Sequence, residues 1–319
     1  MFICYFLKDN NGRLGTNRDM RNSLLILIMW YVNSRRRYLG HDSIYQSAWF
    51  EQEFTDYQFY KCFRLTKQAV QHIENRITVD YKGSIPIRKA LLLTLWIIGQ
   101  DISYRCAEET IGISYSAICK MFNHVVLLIV ESLGDAIDYN RTQAYYEAQC
   151  IRFGQTYGVD NVCCVMDGTL IQTRKPKIDG QTYYSGYKKS YGISVLCVSS
   201  IDKEILFVSA GYPGSTHDSA VLRASPLWRD ATRGILPISA NMRILGDSAF
   251  PDEDWIVVST EDISSYCSPR TISEHVFARL KGKFRILDGT VRQHIDNVAQ
   301  LVVCCCILSN VDLQFPAQH

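Results

Sequence analysis

The chain has 319 residues, a formal net charge of +2, and a composition that is 47% hydrophobic and 21% charged. These values predict a globular protein with one large domain or two of ordinary size, and they exclude a chain too short to bury a core. The chain has no large overall excess of basic residues, so any contact with DNA must come from local clusters of them.

The apolar runs and the cysteines indicate in which cellular compartment the protein is expected. The strongest apolar run, Leu24–Val32, has nine residues, whereas a membrane-spanning helix needs roughly 20. We therefore expect no membrane partner, and the N-terminus lacks the basic leader of a secretion signal. The twelve cysteines contain no CxxC pair, and several are adjacent within apolar runs. This pattern favours free thiols in the nucleus or cytoplasm over disulfides or a zinc site.

The first half of the chain is predicted to be helical. Residues 1–82 form a mixed helical region, in which Thr66 caps a helix within Phe63–Ile77. Residues 83–150 form a second helical region. In it a short helix, a turn at Gly112 and a helix capped by Ser114 are typical of a helix-turn-helix, with Lys120 as a DNA contact. An ordinary helical hairpin has the same pattern.

From about residue 161 the period changes to that of strands. Three β-branched and apolar runs predict strands, and Ile201–Lys203 predicts a hairpin turn that divides the second run into two strands. A helix opened by Ser215 or Thr216 follows, and the last third returns to helix. We therefore predict a mixed α/β, three-layer domain over residues 151–319.

Four acids occupy strand ends or helices of this domain. Asp167 is expected at or just past the end of a strand, and Asp247 at the end of another. Asp218 and Glu274 are expected early in helices. Singly, each suits a turn or a helix N-terminus. Together they predict a carboxylate cluster that hard divalent cations would neutralise, with Mg²⁺ or Mn²⁺ as the cofactor.

The predicted helix around Glu274 carries a spaced basic pattern. Arg270, Glu274 and Lys281 form the spacing R-x3-E-x6-K. Glu274 and Lys281 share one helical face about 10 Å apart along the axis. A phosphodiester lying across both is one interpretation, and a solvated basic helix face is the other.

These residues carry a family resemblance. The segments CCVMDGTLI, GYPGSTHDSAVLRASPLW, ILGDSAF and SEHVFARLKGKFRIL resemble successive blocks of the PIF/Harbinger family of DDE transposases and its domesticated nuclease relatives. The similarity runs roughly over residues 85–310. The chain departs from the family pattern at Leu170, Ala249–Phe250 and Ser309.

The resemblance implies a ribonuclease-H-like catalytic domain and roles for individual residues. It implies that Asp167, Asp247 and Glu274 are the catalytic acids, and that Asp218 is a further metal ligand or a support. His217, in the same block as Asp218, orients a ligand, contacts phosphate or is structural. Family relatives also work with a separate Myb-like DNA-binding protein that helps nuclear entry.

Two functions follow. The first is a metal-dependent DNA endonuclease or transposase-derived nuclease, in which the acids hold two metal ions and water or a DNA 3′-hydroxyl attacks the phosphodiester. Its expected DNA contacts are Arg270, Lys281, Lys188, Lys189 and Lys120. The alternative is a catalytically inactive domesticated transposase that acts as a DNA-binding or scaffold protein. Both interpretations predict a nuclear protein, with the cytoplasm and a homo-oligomer left open.

Overall fold

The structure is a computed structural model that describes residues 54–238, 241–258 and 267–317. The apolar run Leu24–Val32 and most of the predicted first helical region lie outside the described residues. Contacts divide the described part into two units. Ser103–Ile118 belongs to one unit, and Phe54–Ile102 together with the residues from Cys119 onward belongs to the other.

Helices occupy the described chain as far as residue 157. Side-chain oxygens of threonine or serine accept a backbone N–H at the start of four of them, which satisfies donors that a helix start leaves unpaired. These N-caps are Thr55, Thr66, Ser103 and Thr142. The helices are α1 (Asp56–Phe63), α2 (Lys67–Ile77), α3 (Ile87–Gln100), α4 (Tyr104–Ile111), α5 (Tyr115–Ser132) and α6 (Gln143–Tyr157).

The segment predicted as a helix-turn-helix contains helices α4 and α5. Helix α4 ends at Gly112, whose φ of 77° lies in the left-handed region that glycine adopts without strain. The Glu108 carboxylate accepts the backbone N–H of Tyr115, so the turn is held by α4 itself. The helices and the glycine turn are confirmed. The assignment as a DNA-binding motif stays a prediction, as do the ranges 1–82, 83–150 and 151–319.

A mixed sheet forms the centre of the second half. Its strands are β1 (Val162–Gln172), β2 (Tyr184–Ser185), β3 (Ser190–Ser199), β4 (Ile205–Pro213), β5 (Arg243–Gly246) and β6 (Ile256–Val258). The order is β4-β3-β1-β5-β6, and β2 pairs with the first two residues of β3. The pairs β1–β3 and β3–β4 are antiparallel, whereas β1–β5 and β5–β6 are parallel. The mixed α/β class is therefore confirmed.

Among the described residues, four α-helices follow or interrupt these strands: α7 (Asp218–Arg223), α8 (Pro226–Thr232), α9 (Cys267–Lys283) and α10 (Ile295–Gln314). The prediction of one helix opened by Ser215 or Thr216 is wrong. His217 is the N-cap, and the helix ends after Arg223 because Ser225 caps a second helix that has proline at its first position.

Helices cover both faces of the sheet. Ser273 of α9 contacts Asp167 of β1, and Asp218 of α7 lies against the next strand residue, Gly168. Successive residues of a strand face opposite sides, so α7 and α9 lie on opposite faces. The core beside α7 contains Met166, Leu196 and Val221.

Cysteines and the last helix add to the buried interior. Cys163, Cys164, Cys197 and Cys304–Cys306 are buried free thiols, as expected from their apolar context. Within the described residues, α10 is the single helix long and apolar enough by itself to cross a membrane. Most of α10 is buried, and it packs on β4.

Candidate active site

Asp167 lies in the middle of β1, not at its end. It is the sixth residue of an eleven-residue strand, and it pairs with Cys197 of β3. The predicted position at or just past a strand end is wrong because Asp-Gly-Thr continues the ladder to Gln172 instead of turning. The fully buried part of the strand does end at Met166, so Asp167 begins its half-buried part.

Asp247 follows the last residue of β5 directly, as predicted. Because Val165 of β1 is in parallel register with Leu245 of β5, two further residues on each chain bring Asp167 and Asp247 to the same level. The Asp247 carboxylate accepts the backbone N–H of Ala249 at 2.9 Å. Two parallel strands thus bring together acids that are 80 positions apart in the sequence.

Asp218 reaches the same region because Gly168 of β1 has no side chain to exclude it. It is the first residue of α7, and its carboxyl group lies against Gly168. A Cβ at position 168 would lie 2.4 Å from that carboxyl group, so any residue other than glycine would displace it. The glycine beside Asp167 therefore admits Asp218 and does not form the turn that Asp-Gly suggests.

Burial and neighbouring negative charge disfavour the ionised forms of Asp167 and Asp218. Burial raises the pKa of Asp167, against hydrogen bonds from the Gly168 N–H and the Ser273 hydroxyl that lower it. Burial, followed by the charges of Asp247 and Asp167, raises the pKa of Asp218 to about 6. Like charges brought together in a partly desolvated environment repel one another, and a bound cation would favour their ionised forms.

Helix α9 brings its residues to this cluster differently from the prediction. Ser273 is buried and donates to Asp167 at 3.1 Å, whereas Glu274 is exposed and makes no hydrogen bond or ion pair with the described residues. Glu274 as the third catalytic acid stays a prediction. Ser273 is not among the residues predicted from the sequence, and its position next to Glu274 on the helix is the signal that points to it.

Two predicted DNA contacts lie on the same helix. One nitrogen of Arg270 lies 3.9 Å from an Asp247 oxygen, and its charge lowers the pKa of Asp167. The ammonium group of Lys281 donates to the hydroxyl of Thr169 at 3.0 Å, two residues beyond Asp167. Burial, followed by the charge of Lys188, lowers the pKa of Lys281. The structure therefore brings Arg270 and Lys281 to the acids.

The other predicted contacts divide into near and far residues. Lys188 is exposed, and its charge lowers the pKa of Asp218, as does the charge of His217. Lys189 is exposed beside Lys188. Lys120 is exposed on α5 and has no described contact with the acids.

The donor set suits a hard divalent cation, although it is not a closed cage. Asp167 leaves β1 toward α9, and Asp218 approaches β1 from the other face. In the described part of the chain, no three acidic, histidine or cysteine side chains are close enough to enclose one ion. The fit lies instead in the chemistry: partly desolvated carboxylate oxygens with raised pKa values, which are the ligands that Mg²⁺ and Mn²⁺ prefer.

Comparison with known proteins agrees with this geometry. Residues 166–310 match the model of the DDE superfamily endonucleases. "Putative nuclease HARBI1" of Xenopus laevis is 26% identical over 220 residues, which cover 65% of this chain and 62% of that protein. The human protein of the same name is 24% identical over 218 residues, covering 65% of this chain and 61% of its own length.

A plant relative matches a longer stretch. "Protein ALP1-like" of Arabidopsis thaliana is 21% identical over 295 residues, covering 82% of this chain and 71% of that protein. The chain thus spans about three fifths of the length of the HARBI1 proteins that it matches. No solved structure matches the chain.

Proposed function

Since the chain belongs to the Harbinger-type family of DDE transposases and the nucleases derived from them, we propose that it is a divalent-metal-dependent DNA endonuclease. The observation that carries the proposal is that Asp167 and Asp247 lie level on adjoining strands, with Asp218 beside them against Gly168. The pKa values of Asp167 and Asp218 are raised, and Arg270 and Lys188 lie near these acids. The sheet order, with its central acid-bearing strand, supports a ribonuclease-H-like domain.

Asp167 and Asp247 would hold the metal, with Asp218 beside them as a ligand or an electrostatic support. When bound, divalent cations supply positive charge that activates the attacking oxygen and stabilises the leaving one. Glu274 would complete the ligand set by turning inward from its exposed position on α9. Ser273 would keep the Asp167 carboxylate in one orientation through its hydroxyl hydrogen bond.

Basic side chains around the acids would position the DNA. Arg270 and Lys281 come from α9, and Lys188 comes from the loop before β3. Arg270 lowers the pKa of Asp167, Lys188 lowers the pKa values of Asp218 and Lys281, and Lys281 donates to Thr169 beside the acids. Phosphodiester oxygens would replace the weak contact that Arg270 makes with Asp247. Local cations of this kind allow DNA binding by a chain whose net charge is only +2.

The test is a nicking assay on supercoiled plasmid DNA in Mg²⁺ or Mn²⁺. We expect the wild-type chain to nick and Asp167→Asn to lose more than about 100-fold in rate, because a group at the reacting centre is removed. Asp202→Asn is the control. Asp202 is an exposed acid on the β3–β4 turn, and it forms an ion pair with Arg152 of α6.

The two functions predicted from the sequence give different results in this assay. Equal nicking by wild type and Asp167→Asn would contradict the proposal. A folded wild-type chain that binds DNA without nicking it in either metal would favour the inactive DNA-binding or scaffold alternative.

A further inference from the structure

A second charged site lies away from the acids. A cavity of about 370 Å³ opens between α1, α9 and α10, and its polar lining comes from Tyr60, Arg64, Arg279, Lys283 and Asp312. We call it the Arg64–Arg279 cavity. On α9, Arg279 and Lys283 are about 40° apart around the helix axis, whereas Lys281 lies between them on the opposite side. The helix thus turns one basic face to the acids and another to this cavity.

Charge in the cavity is unbalanced. Lys283 is 7% exposed and forms an ion pair with Asp312, which accounts for one cation and the one carboxylate. Neither guanidinium makes an ion pair with a described carboxylate. Burial, followed by the charge of Arg285, lowers the pKa of Arg64, and burial lowers the pKa of Arg279. Two positive charges are therefore held here in a partly desolvated environment, at an energetic cost.

The guanidinium groups also keep unused donors. Arg64 donates one hydrogen bond to Gln100, at 3.4 Å, and Arg279 donates to the Lys203 carbonyl and to the Ser309 hydroxyl. The Nε–H groups of both arginines are buried and meet no acceptor among the described residues. A buried donor without an acceptor is energetically unfavourable, so a ligand oxygen that accepts from it would be stabilising.

We propose that the Arg64–Arg279 cavity binds a phosphate group. A phosphate offers several acceptor oxygens and negative charge, and it matches the forked donors of two arginines better than a single halide ion does. The volume accommodates a phosphate with an attached sugar, being within the range of small-molecule sites. The group comes either from free phosphate or a phosphate ester, or from the backbone of DNA.

Thermal unfolding of the full chain in sodium phosphate tests the site. Compared with sodium chloride at equal ionic strength, about 10 mM phosphate should raise the Tm of the wild type by about 3 °C. Arg64→Gln should lose this rise while its Tm in chloride stays equal or increases, because an unpaired buried donor has been removed. Arg64 is the primary position, since Arg279 also holds Lys203 and Ser309.

Arg233→Gln is the matched control, because Arg233 is exposed and the substitution removes the same charge. It should keep the full phosphate response. The absence of a phosphate response in the wild type would overturn the proposal. An equal response in wild type, Arg64→Gln and Arg233→Gln would overturn it as well, because phosphate would then act only through general exclusion from the surface.

A second arm identifies the source of the phosphate. Duplex binding is measured with Asp167→Asn as the background, so that cleavage does not interfere and a failure of the proposed nuclease activity leaves the result readable. If the cavity takes backbone phosphate, adding Arg64→Gln should weaken binding and reduce the salt slope by about 1. If it takes a free phosphate or ester, Arg64→Gln should abolish the phosphate response and leave duplex affinity unchanged.

Discussion

At the scale of single residues, the close packing of Asp218 against β1 raises the pKa of its own carboxyl group. Its carboxyl group fits against the bare Cα of Gly168, and its pKa is raised to about 6 by burial and by two neighbouring acids. An unfolded aspartate titrates near 3.9. Between these values the folded state binds the extra proton, so the contribution of Asp218 to stability is present at low pH and is lost as pH rises through about 6.

Asp218→Asn should therefore stabilise the metal-free protein near neutral pH. At pH 7.5 in EDTA we expect the free energy of unfolding to rise by about 1–2 kcal/mol, a value reduced for the partial exposure of the group. Below pH 4 the difference should vanish, since both side chains are then neutral. Urea unfolding across this pH range measures it, with Asp252→Asn, at an exposed acid after β5, as control. A loss of stability at pH 7.5 would contradict the account.

The sequence predicts the acids together with Arg270 and Lys281, but it does not predict Ser273 beside them. Asp247 could be predicted because a short apolar run ends on it, and the parallel register with β1 then places it beside Asp167. The contact of Ser273 with Asp167 could not be predicted, because it depends on the rotation of α9 about its axis. Successive residues of a helix are 100° apart around its axis. The apolar pattern of α9 does not define that rotation closely enough to tell which residue faces Asp167.

At the scale of elements, α10 anchors the hairpin edge of the sheet. Asn310 is buried on this helix, and its side-chain oxygen accepts the backbone N–H of Ile205 at the start of β4. Its amide nitrogen donates to the carbonyls of Ile205 and Ala136. One amide thus satisfies three backbone groups that the helix–strand contact would otherwise leave unpaired.

Asn310→Ala should destabilise the fold strongly. The substitution leaves buried backbone groups without partners and creates a small cavity, so the free energy of unfolding should fall by about 2–4 kcal/mol. Gln300→Ala, at an exposed position of the same helix, should change it by less than about 0.5 kcal/mol. Chemical denaturation measures both values. A similar small change in both variants would show that Asn310 does not carry this contact.

Elements with a long apolar pattern were predictable, whereas short ones were not. The sequence predicts β1, β3, β4 and β5 because each contains β-branched or apolar residues in a run. The strands β2 and β6 have two and three residues, and pairing with longer neighbours defines them. The length of β1 was missed because Asp-Gly-Thr is typical of a turn, and only the partner strand β3 shows that the ladder continues.

At the scale of the whole molecule, the site joins distant parts of the chain. One or two side chains come from each of four places: the central strand β1, the start of α7, the end of β5 and helix α9. The nearby cations belong to α9 and to the loop before β3. The overall charge predicts little DNA affinity, so the proposed binding of DNA would depend on these local cations. The proposed function rests on the claim that the carboxylates at this junction act on DNA by holding a metal.

Replacing Asp247 by cysteine tests that claim most directly, because a thiolate binds Mn²⁺ more readily than it binds Mg²⁺. Plasmid nicking by Asp247→Cys should be lost in Mg²⁺ and at least partly restored in Mn²⁺. Asp252→Cys, at an exposed acid five residues on, should nick like the wild type in both metals. Nicking by Asp247→Cys at the wild-type rate in Mg²⁺ would contradict the account.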